Sequence, residues 1–127
     1  MSHTKRILLL EPGDYSHEAY SILTSFAQVD NGPLTRQELL QAIPRYDYLI
    51  LRLAHRINSK VIEVASRLKA IVTATTGLNH IDVECASKNN IAVLSLQGEY
   101  DFLDSVYATA EHTWALLLAL IRHLPRA

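Results

Sequence analysis

The chain has little cysteine and little glycine, and each scarcity excludes a kind of site. One cysteine, Cys85, cannot form an internal disulfide, which is typical of a protein from a reducing cytoplasm. The four glycines are too far apart to form a G-x-G-x-x-G or a Walker A sequence. The chain therefore carries no dinucleotide or nucleotide phosphate loop of its own.

Long apolar runs and an excess of one charge are also missing. The longest apolar run, residues 114–121, is far shorter than the roughly 20 residues of a membrane span. The apolar run of residues 7–10 ends at Glu11-Pro12, too early for the core of a signal peptide. Basic and acidic residues number 12 and 13 and are interspersed, so we expect neither a nucleic-acid nor a membrane partner. These patterns predict a single-domain, cytoplasmic protein.

What the chain does contain is a regular alternation of short apolar segments and helical patterns. We predict strands at Ile7–Leu10, around Val29, Tyr48–Leu51, Ala70–Ala74 and Ile91–Leu94. We predict helices at Ser16–Gln28, Thr35–Pro44, from Ser59 onward, Asp82–Asn89 and Ser105–His123. Polar neighbours place the Val29 strand at a sheet edge. This order is typical of an α/β fold: a flavodoxin-like, doubly wound parallel five-stranded sheet with a long C-terminal helix.

Two of the predicted helices carry further information. Thr35 and Glu38 have the spacing of a capping box, so we expect the second helix to begin there. In the helix that begins at Ser59, we expect the apolar side chains to face the core; they are Val61, Ile62, Val64, Ala65 and Leu68.

The last helix is apolar around its whole circumference from Trp114 to Ile121. A helix of this kind is buried on all sides, and one face of a sheet cannot cover it alone. It is either a core helix of a small domain or a helix that a second domain or another subunit covers.

The stretch that organises the chain is the fourth predicted strand and the turn after it, Thr75-Thr76-Gly77-Leu78-Asn79-His80-Ile81-Asp82. In an open α/β sheet, ligands bind at the carboxyl ends of the strands. A turn that contains Gly77 lets backbone N–H groups approach an anionic ligand closely. We therefore expect this turn at the functional edge; the alternative is a plain tight turn.

Two other functions of the same architecture do not fit the residues. A flavodoxin needs a loop rich in Ser, Thr and Gly after strand one, where this chain has Glu11-Pro12-Gly13-Asp14-Tyr15. A response-regulator receiver needs an Asp after strand three and a Lys after strand five. Those places hold Arg52 and Ser95-Leu96-Gln97.

The sequence gives little support for a metal site or for a nucleophilic catalytic residue. His80 with Asp82, and Glu111 with His112, lack the spacing of a ligand set with a third partner, so we expect no metal site. The chain has no nucleophile elbow, and we expect Cys85 to be a packing residue.

Several of these segments, in this order, resemble the D-isomer-specific 2-hydroxyacid dehydrogenases, and especially their D-3-phosphoglycerate dehydrogenase-like members. The most specific are Gly77-Leu78-Asn79-His80-Ile81-Asp82 and Ala110-Glu111-His112-Thr113 before a Leu/Ala-rich helix. The resemblance covers the chain from Lys5 onward. It implies a substrate-binding domain of residues 1–104, an interdomain hinge helix of residues 105–127, and a Rossmann NAD-binding domain that is absent from this chain.

The resemblance also implies roles for individual residues. Thr76, Gly77 and Leu78 would hold the substrate carboxylate, with Thr76 also near the nicotinamide of NAD. Arg52 would lie near the anionic end of a 2-hydroxy or 2-oxo acid, where a guanidinium can form charge-assisted hydrogen bonds. The alternative for Arg52 is an ordinary surface arginine. The family's catalytic Arg, Glu and His lie in or beyond the Rossmann domain, so no residue of this chain is assigned a catalytic role.

One segment departs from the family pattern, because the passage from Gln97 to Ala108 is longer than in many members. Tyr100 and Tyr107 lie in it and could line the cleft. The resemblance further implies a homodimer in the full enzyme and an isolated chain that is not catalytically competent. The alternative function is a stand-alone flavodoxin-like module that binds a small anion or a protein without catalysis and dimerises through its last helix.

Overall fold

The computed structural model of the chain describes residues 4–13 and 15–123, and within them it forms two compact units. The first unit ends at Gln97 and the second begins at Gly98. The first contains strands β1 (Arg6–Leu9), β2 (Gln28–Asn31), β3 (Tyr48–Leu51), β4 (Ala70–Thr73) and β5 (Ala92–Leu94). Its helices are α1 (His17–Phe26), α2 (Arg36–Ala42), α3 (Ser59–Val64) and α4 (Val83–Lys88). The second unit contains α5 (Tyr100–Leu103) and α6 (Ala108–Ile121).

The five strands form one parallel sheet in the order β2-β1-β3-β4-β5. Tyr48 pairs with both Ile7 and Ala70, and Ala70 pairs in turn with Ala92, so the strands are aligned along the sheet. The predicted doubly wound α/β fold is therefore confirmed, and β2 is an edge strand as its polar neighbours indicated.

The two faces of the sheet pack against different helices, because side chains alternate between the faces of a strand. Leu8, Leu49 and Ile71 belong to the larger core, which α2, α3 and α4 cover. Ile7, Leu9 and Ile50 belong to a smaller core, which packs against residues of and around α1. The chain thus crosses to opposite faces after β1 and after β3.

A network of charged groups closes the amino-terminal edge of the sheet. Asp47, only 4% exposed, accepts the backbone N–H of Arg6 at 2.9 Å and the Arg67 guanidinium at 2.9 Å. The Arg6 guanidinium pairs with Asp30 and lies 4.8 Å from the centre of the Tyr46 ring. Because each carboxylate in this network has a cationic partner, its burial is compensated.

Helix α2 begins as its sequence predicts. The Thr35 hydroxyl accepts the Glu38 N–H at 3.3 Å, and the Glu38 carboxylate accepts the Thr35 N–H at 2.7 Å. These two bonds satisfy backbone donors that a helix start leaves open. The helix ends at Ala42, and a single 3-10 turn, Ile43–Arg45, carries Pro44.

Helix α3 is shorter than its apolar pattern predicts, and one inward assignment is wrong. The backbone leaves the helix at Ala65, and Val64 is 41% exposed instead of facing the core. Leu68 does reach the larger core, but from the irregular segment after the helix. Val64 is still within the helix, but at about 100° per residue it lies at the margin of the face that Val61 and Ile62 turn to the core.

The second unit departs from its prediction in two ways. The one-turn helix α5 lies between the predicted strand that ends at Leu94 and the predicted helix that begins at Ser105, where we predicted neither strand nor helix. None of the described residues of α6 is buried; Trp114 is 64% and Leu120 is 74% exposed. The prediction of a helix buried on all sides, as a core helix of a small domain, is therefore wrong for the described part of this chain. The described part of the second unit contains no sheet or other long helix against which α6 could pack.

Candidate functional site

The carboxyl edge of the sheet gathers the residues that follow β1, β3 and β4. Glu11 follows β1, Arg52 follows β3 and Ala74 follows β4. Because the crossovers after β1 and β3 lie on opposite faces of the sheet, a crevice opens between the ends of these two strands. In doubly wound sheets this topological switch point is where ligands bind.

Glu11 fixes the chain at the end of β3. Its carboxylate accepts the backbone N–H of Arg52 at 2.6 Å and that of Ala54 at 3.3 Å. The Arg52 guanidinium donates to the carbonyl oxygen of Gly13 at 3.3 Å. The loops after β1 and β3 are thereby joined, and Arg52 is held at the crevice.

Sequence reasoning did not find this role of Glu11. In the sequence, Glu11 served only as the end of the first apolar run and as a mismatch to a flavin phosphate loop. The sequence does contain a signal for this role. Glu11 comes just after the first strand, and the predicted sheet places the end of β3 next to the end of β1. An ionised carboxylate is an acceptor of backbone N–H groups at such a strand end.

The turn after β4 is organised by threonine hydroxyls. Thr75 donates to the Gly77 carbonyl oxygen at 2.8 Å, and its Oγ1 lies 3.1 Å from Oγ1 of Thr73. Thr73 is only 2% exposed, and its Oγ1 lies 3.5 Å from Nε2 of His80. A chain of side-chain contacts therefore runs from the buried end of β4 to the turn.

The far end of the turn is tied to the loop after β3. Ile57 and Ile81 form an isolated parallel bridge, in which the Ile57 N–H donates to the His80 carbonyl oxygen at 2.7 Å. Asp82 then caps α4 by accepting the Cys85 N–H at 3.0 Å. Both ends of the segment from Thr75 to Asp82 are consequently fixed.

Between these fixed ends, the backbone N–H groups of Thr76, Gly77 and Leu78 point to no partner among the described residues. Thr76 and Gly77 are exposed, and Leu78 is half-buried against the larger core. A Cβ added at Gly77 would have nothing within 4 Å, so packing inside the chain does not require glycine there. Three successive N–H groups of this kind can donate hydrogen bonds to the oxygens of a carboxylate.

The predicted site residues do not all line one depression. Arg52 lines a depression of about 360 Å³ at the crevice, together with Gly13, Tyr15, Ser16, Ala19 and Ala74. Thr76, Gly77 and Leu78 are not among the residues that line it. The loop after β4 connects the two places, because Ala74 lies two positions before Thr76.

The other residues considered in the sequence are the possible metal ligands, the cysteine and two tyrosines, and they do not form a common site among the described residues. Among residues 4–13 and 15–123, no three His, Cys, Asp or Glu side chains form a group that could hold a metal. Cys85 packs against the larger core, and burial, followed by the nearby Asp82 charge, raises the pKa of its thiol. Tyr100 and Tyr107 lie in the second unit and are exposed, so their place in a cleft stays a prediction.

Helices of the described residues are all too short or too polar to cross a membrane. The expected absence of a membrane partner otherwise stays a prediction.

Comparison with known proteins identifies the family. Residues 7–120 match the family described as D-isomer specific 2-hydroxyacid dehydrogenase, catalytic domain. A D-3-phosphoglycerate dehydrogenase of Synechocystis sp. is 38% identical over 108 residues, which are 84% of this chain and 18% of that protein. A hydroxypyruvate reductase of Thermotoga maritima is 36% identical over 100 residues, which are 79% of this chain and 31% of that protein. The chain thus spans less than a third of the length of these relatives.

Solved structures agree on the fold. A crystal structure of a Thermus thermophilus protein matches 94% of this chain and 37% of its own, with a TM-score of 0.78 and 29% identity. A D-lactate dehydrogenase of Aquifex aeolicus, complexed with NAD and lactic acid, matches 94% of this chain and 34% of its own with a TM-score of 0.74; at 19% identity this likeness concerns the fold. The chain belongs to the D-isomer specific 2-hydroxyacid dehydrogenase family and matches the catalytic domain of that family.

Proposed function

We propose that the chain is the substrate-binding part of an NAD-dependent dehydrogenase that interconverts a D-2-hydroxy acid and its 2-oxo acid by hydride transfer. The observation that carries the proposal is the open row of backbone N–H groups at Thr76, Gly77 and Leu78. A carboxylate is common to every substrate of this class, and three successive N–H donors suit its two oxygens. The family membership supports the same assignment.

Arg52 is the second element of the proposal. Its backbone is held by the Glu11 carboxylate, and its guanidinium lies at the crevice between the ends of β1 and β3. A fixed guanidinium orients an anionic substrate at little entropic cost, because the loop that carries it does not need to become ordered on binding.

The residues of this chain do not fit NAD by themselves. The chain has no glycine loop, and the place after β1 holds the Glu11 carboxylate instead of the open N–H groups that a pyrophosphate needs. We therefore propose that NAD is bound by a Rossmann domain outside this chain, with Thr76 beside the nicotinamide. Family members bind NAD. A homodimer of the full enzyme and a cytoplasmic location belong to the same proposal.

Titration of the isotope-labelled chain with D-lactate, L-lactate and acetate, followed by amide NMR, tests the carboxylate assignment. We expect D-lactate to shift the amides of Thr76, Gly77 and Leu78, with weaker shifts from L-lactate and acetate. The Ser87 amide, which lies in the regular helix α4, serves as the internal control. Equal shifts throughout the chain, or none at the turn, would contradict the assignment.

Calorimetry with NAD tests the cofactor assignment. We expect no saturable binding to this chain and no reduction of a 2-oxo acid when NADH is added. Saturable micromolar NAD binding together with turnover by this chain would show that cofactor residues lie within it. A stable dimer that binds acetate and D-lactate equally would favour the non-catalytic module instead.

A further inference from the structure

Helix α2 begins with an arginine whose side chain reaches the loop after β3. The Arg36 guanidinium donates to the carbonyl oxygen of Arg56 and to the side-chain oxygen of Asn58. These acceptors are 20 and 22 positions further along the chain. Because two nitrogens of one planar group are used, the guanidinium holds the chain on both sides of the intervening residue, Ile57.

Helix formation does not explain an arginine at this position. Arg36 is the first residue of α2, directly after the Thr35 cap. A helix start carries a partial positive charge, which favours an acidic side chain such as Glu38 and disfavours a cation. A residue that departs from a local rule in this way often serves a tertiary or functional contact. The bonds to the loop after β3 are such a contact.

The segment that Arg36 holds forms one half of the bridge between Ile57 and Ile81. Ile57 is fully buried. Its N–H donates to the His80 carbonyl oxygen at 2.7 Å, and its carbonyl oxygen accepts the Asp82 N–H at 2.8 Å. Both backbone groups of Ile57 are therefore bonded across the bridge, so a displacement of Ile57 would also displace the residues that it pairs with.

The bridge leads to the carboxylate turn, the segment of Thr76, Gly77 and Leu78. Ile81 is only 6% exposed, and its N–H donates to the Leu78 carbonyl oxygen at 2.9 Å. At the other end, the Thr75 hydroxyl donates to the Gly77 carbonyl oxygen at 2.8 Å. A continuous path of hydrogen bonds and buried side chains thus runs from the start of α2 to the last residue of the turn.

We propose that Arg36 is a positioning residue for the carboxylate turn and that it acts through Ile57 and the bridge to Ile81. The guanidinium bonds join α2 to the loop after β3, and the bridge bonds join that loop to the turn. Without the guanidinium, the loop gains freedom and the N–H groups of the turn lose their preset direction. A site that must become ordered on binding holds its ligand more weakly. The inference rests on the proposed function, because a carboxylate is the ligand that these N–H groups receive.

Arg36→Gln in the 127-residue chain tests the proposal by two measurements. We expect amide hydrogen exchange at Ile57 and Asp82 to become about tenfold faster relative to Leu49, a buried residue of the central strand β3. The NMR titration should show about three- to tenfold weaker binding of D-lactate at the carboxylate turn. Arg45→Gln is the matched control, since it removes the same charge from an exposed position after α2 and should change neither quantity.

Arg36→Lys separates the guanidinium from its charge. Lysine keeps the positive charge but cannot reproduce the planar pair of bonds to Arg56 and Asn58. We expect this variant to keep most of the loss of D-lactate affinity. Full recovery would mean that the charge attracts the anion directly and would overturn positioning by the guanidinium.

Asn58→Ala tests the same contact from the side of the acceptor, and it carries the test if Arg36→Gln does not fold. Asn58 is the N-cap of α3, but its side chain makes no capping bond, so none is lost. We expect weaker D-lactate binding here too, and a double variant whose loss is smaller than the sum of the two single losses. Asp47→Asn, destabilised at the amino edge, should bind D-lactate as the original chain does.

The outcomes separate the positioning role from the proposed function. Unchanged D-lactate affinity in Arg36→Gln, with or without faster exchange, would overturn the positioning role and leave the carboxylate turn standing. An equal loss of affinity in Asp47→Asn would do the same, because the loss would then follow from stability alone. If D-lactate does not shift the turn in the original chain, the proposed function is wrong, whereas faster exchange at Ile57 and Asp82 in Arg36→Gln would still show that Arg36 holds the bridge.

Discussion

The Glu11 carboxylate accepts the backbone N–H of Arg52 at 2.6 Å, although the two residues are 41 positions apart. This bond joins the ends of β1 and β3, where the sheet reverses the direction of its crossovers. An ionised acceptor on a backbone N–H makes a stronger bond than a neutral one. Glu11 thus fixes the loop that presents Arg52 without occupying the depression beside it.

Replacing Glu11 by Gln tests this role. Gln keeps one acceptor oxygen but brings an NH2 group toward a backbone donor, so we expect Arg52 and Ala54 to lose part of their hydrogen bonding. The free energy of unfolding should fall by about 1–3 kcal/mol. Amide hydrogen exchange should become faster at Arg52 and Ala54 in particular.

Glu63→Gln is the control for that change, since Glu63 is exposed on α3. We expect its unfolding free energy to stay within about 0.5 kcal/mol of the original. Equal stability and exchange in the Glu11 and Glu63 variants would contradict a positioning role for Glu11.

Thr75 should control the geometry of the carboxylate turn, because its hydroxyl donates to the Gly77 carbonyl oxygen at 2.8 Å. Thr75→Val keeps the shape of the side chain and removes the donor. We expect this variant to bind D-lactate about three- to tenfold more weakly than the original chain. Thr75→Ser keeps the hydroxyl and should restore most of the affinity, as measured by the NMR titration. Unchanged affinity in Thr75→Val, or an equal loss in Thr75→Ser, which keeps the hydroxyl, would contradict control of the turn by this hydroxyl.

Acid should destabilise the chain through Asp47. Burial alone would raise the pKa of this carboxyl, but hydrogen bonds from the Arg6 N–H and the Arg67 guanidinium outweigh it, and the pKa lies below its usual value. A lowered folded-state pKa means that the unfolded state binds protons more readily. The stabilisation is therefore complete above the ordinary Asp pKa of about 4 and is lost as the pH falls through the folded-state pKa.

Urea unfolding of Asp47→Asn between pH 7 and pH 3 measures this contribution. We expect a loss of about 1–3 kcal/mol at pH 7 and a smaller further loss toward pH 3 than in the original chain. Asp101→Asn, at an exposed position of α5, should retain the original pH dependence. A parallel pH profile for the Asp47 variant would exclude Asp47 as the group responsible.

Gly32 is required by a close approach to β1. A Cβ at this position would lie 2.4 Å from the carbonyl oxygen of Leu10, and the Gly32 N–H donates to Leu9 at 2.7 Å. Gly32→Ala must displace backbone, so we expect about 1–3 kcal/mol of destabilisation in thermal or urea unfolding. Gly13→Ala meets nothing within 4 Å and should change stability by less than about 1 kcal/mol. A Gly32 variant as stable as the Gly13 variant would refute the steric argument.

The sequence was sufficient to predict the elements whose signals are local. Four of the five strands, all except β2, are mainly apolar runs, and the capping box at Thr35 and Glu38 forms as their spacing predicts. The alternation of strands and helices also predicted that the strands of the sheet are parallel. Each of these features depends on residues that are neighbours along the chain, or on packing rules that hold for all sheets of this kind.

Features that depend on distant partners could not be predicted in this way. The bond from Arg52 to Glu11 and the bridge of Ile57 to Ile81 join segments whose spacing in the chain carries no periodic signal. Val64 continued the apolar pattern of α3, but it lies at the margin of the buried face of that helix and is 41% exposed. The apolar circumference of α6 predicted burial, yet hydrophobicity alone does not reveal what covers a helix.

The residues that stabilise the sheet and the residues that we assign to ligands lie at opposite edges of the sheet. The paired charges around Asp47 are at the amino edge, and Arg52, Thr76 and Gly77, which we assign to ligands, are at the opposite edge, on the loops after β3 and β4. We therefore expect substitutions at the exposed residues Thr76 and Gly77 to alter ligand binding with little effect on the stability of the fold. In a fold arranged in this way, a few loop mutations can change ligand preference. Such variants can be screened for binding without additional stabilising mutations.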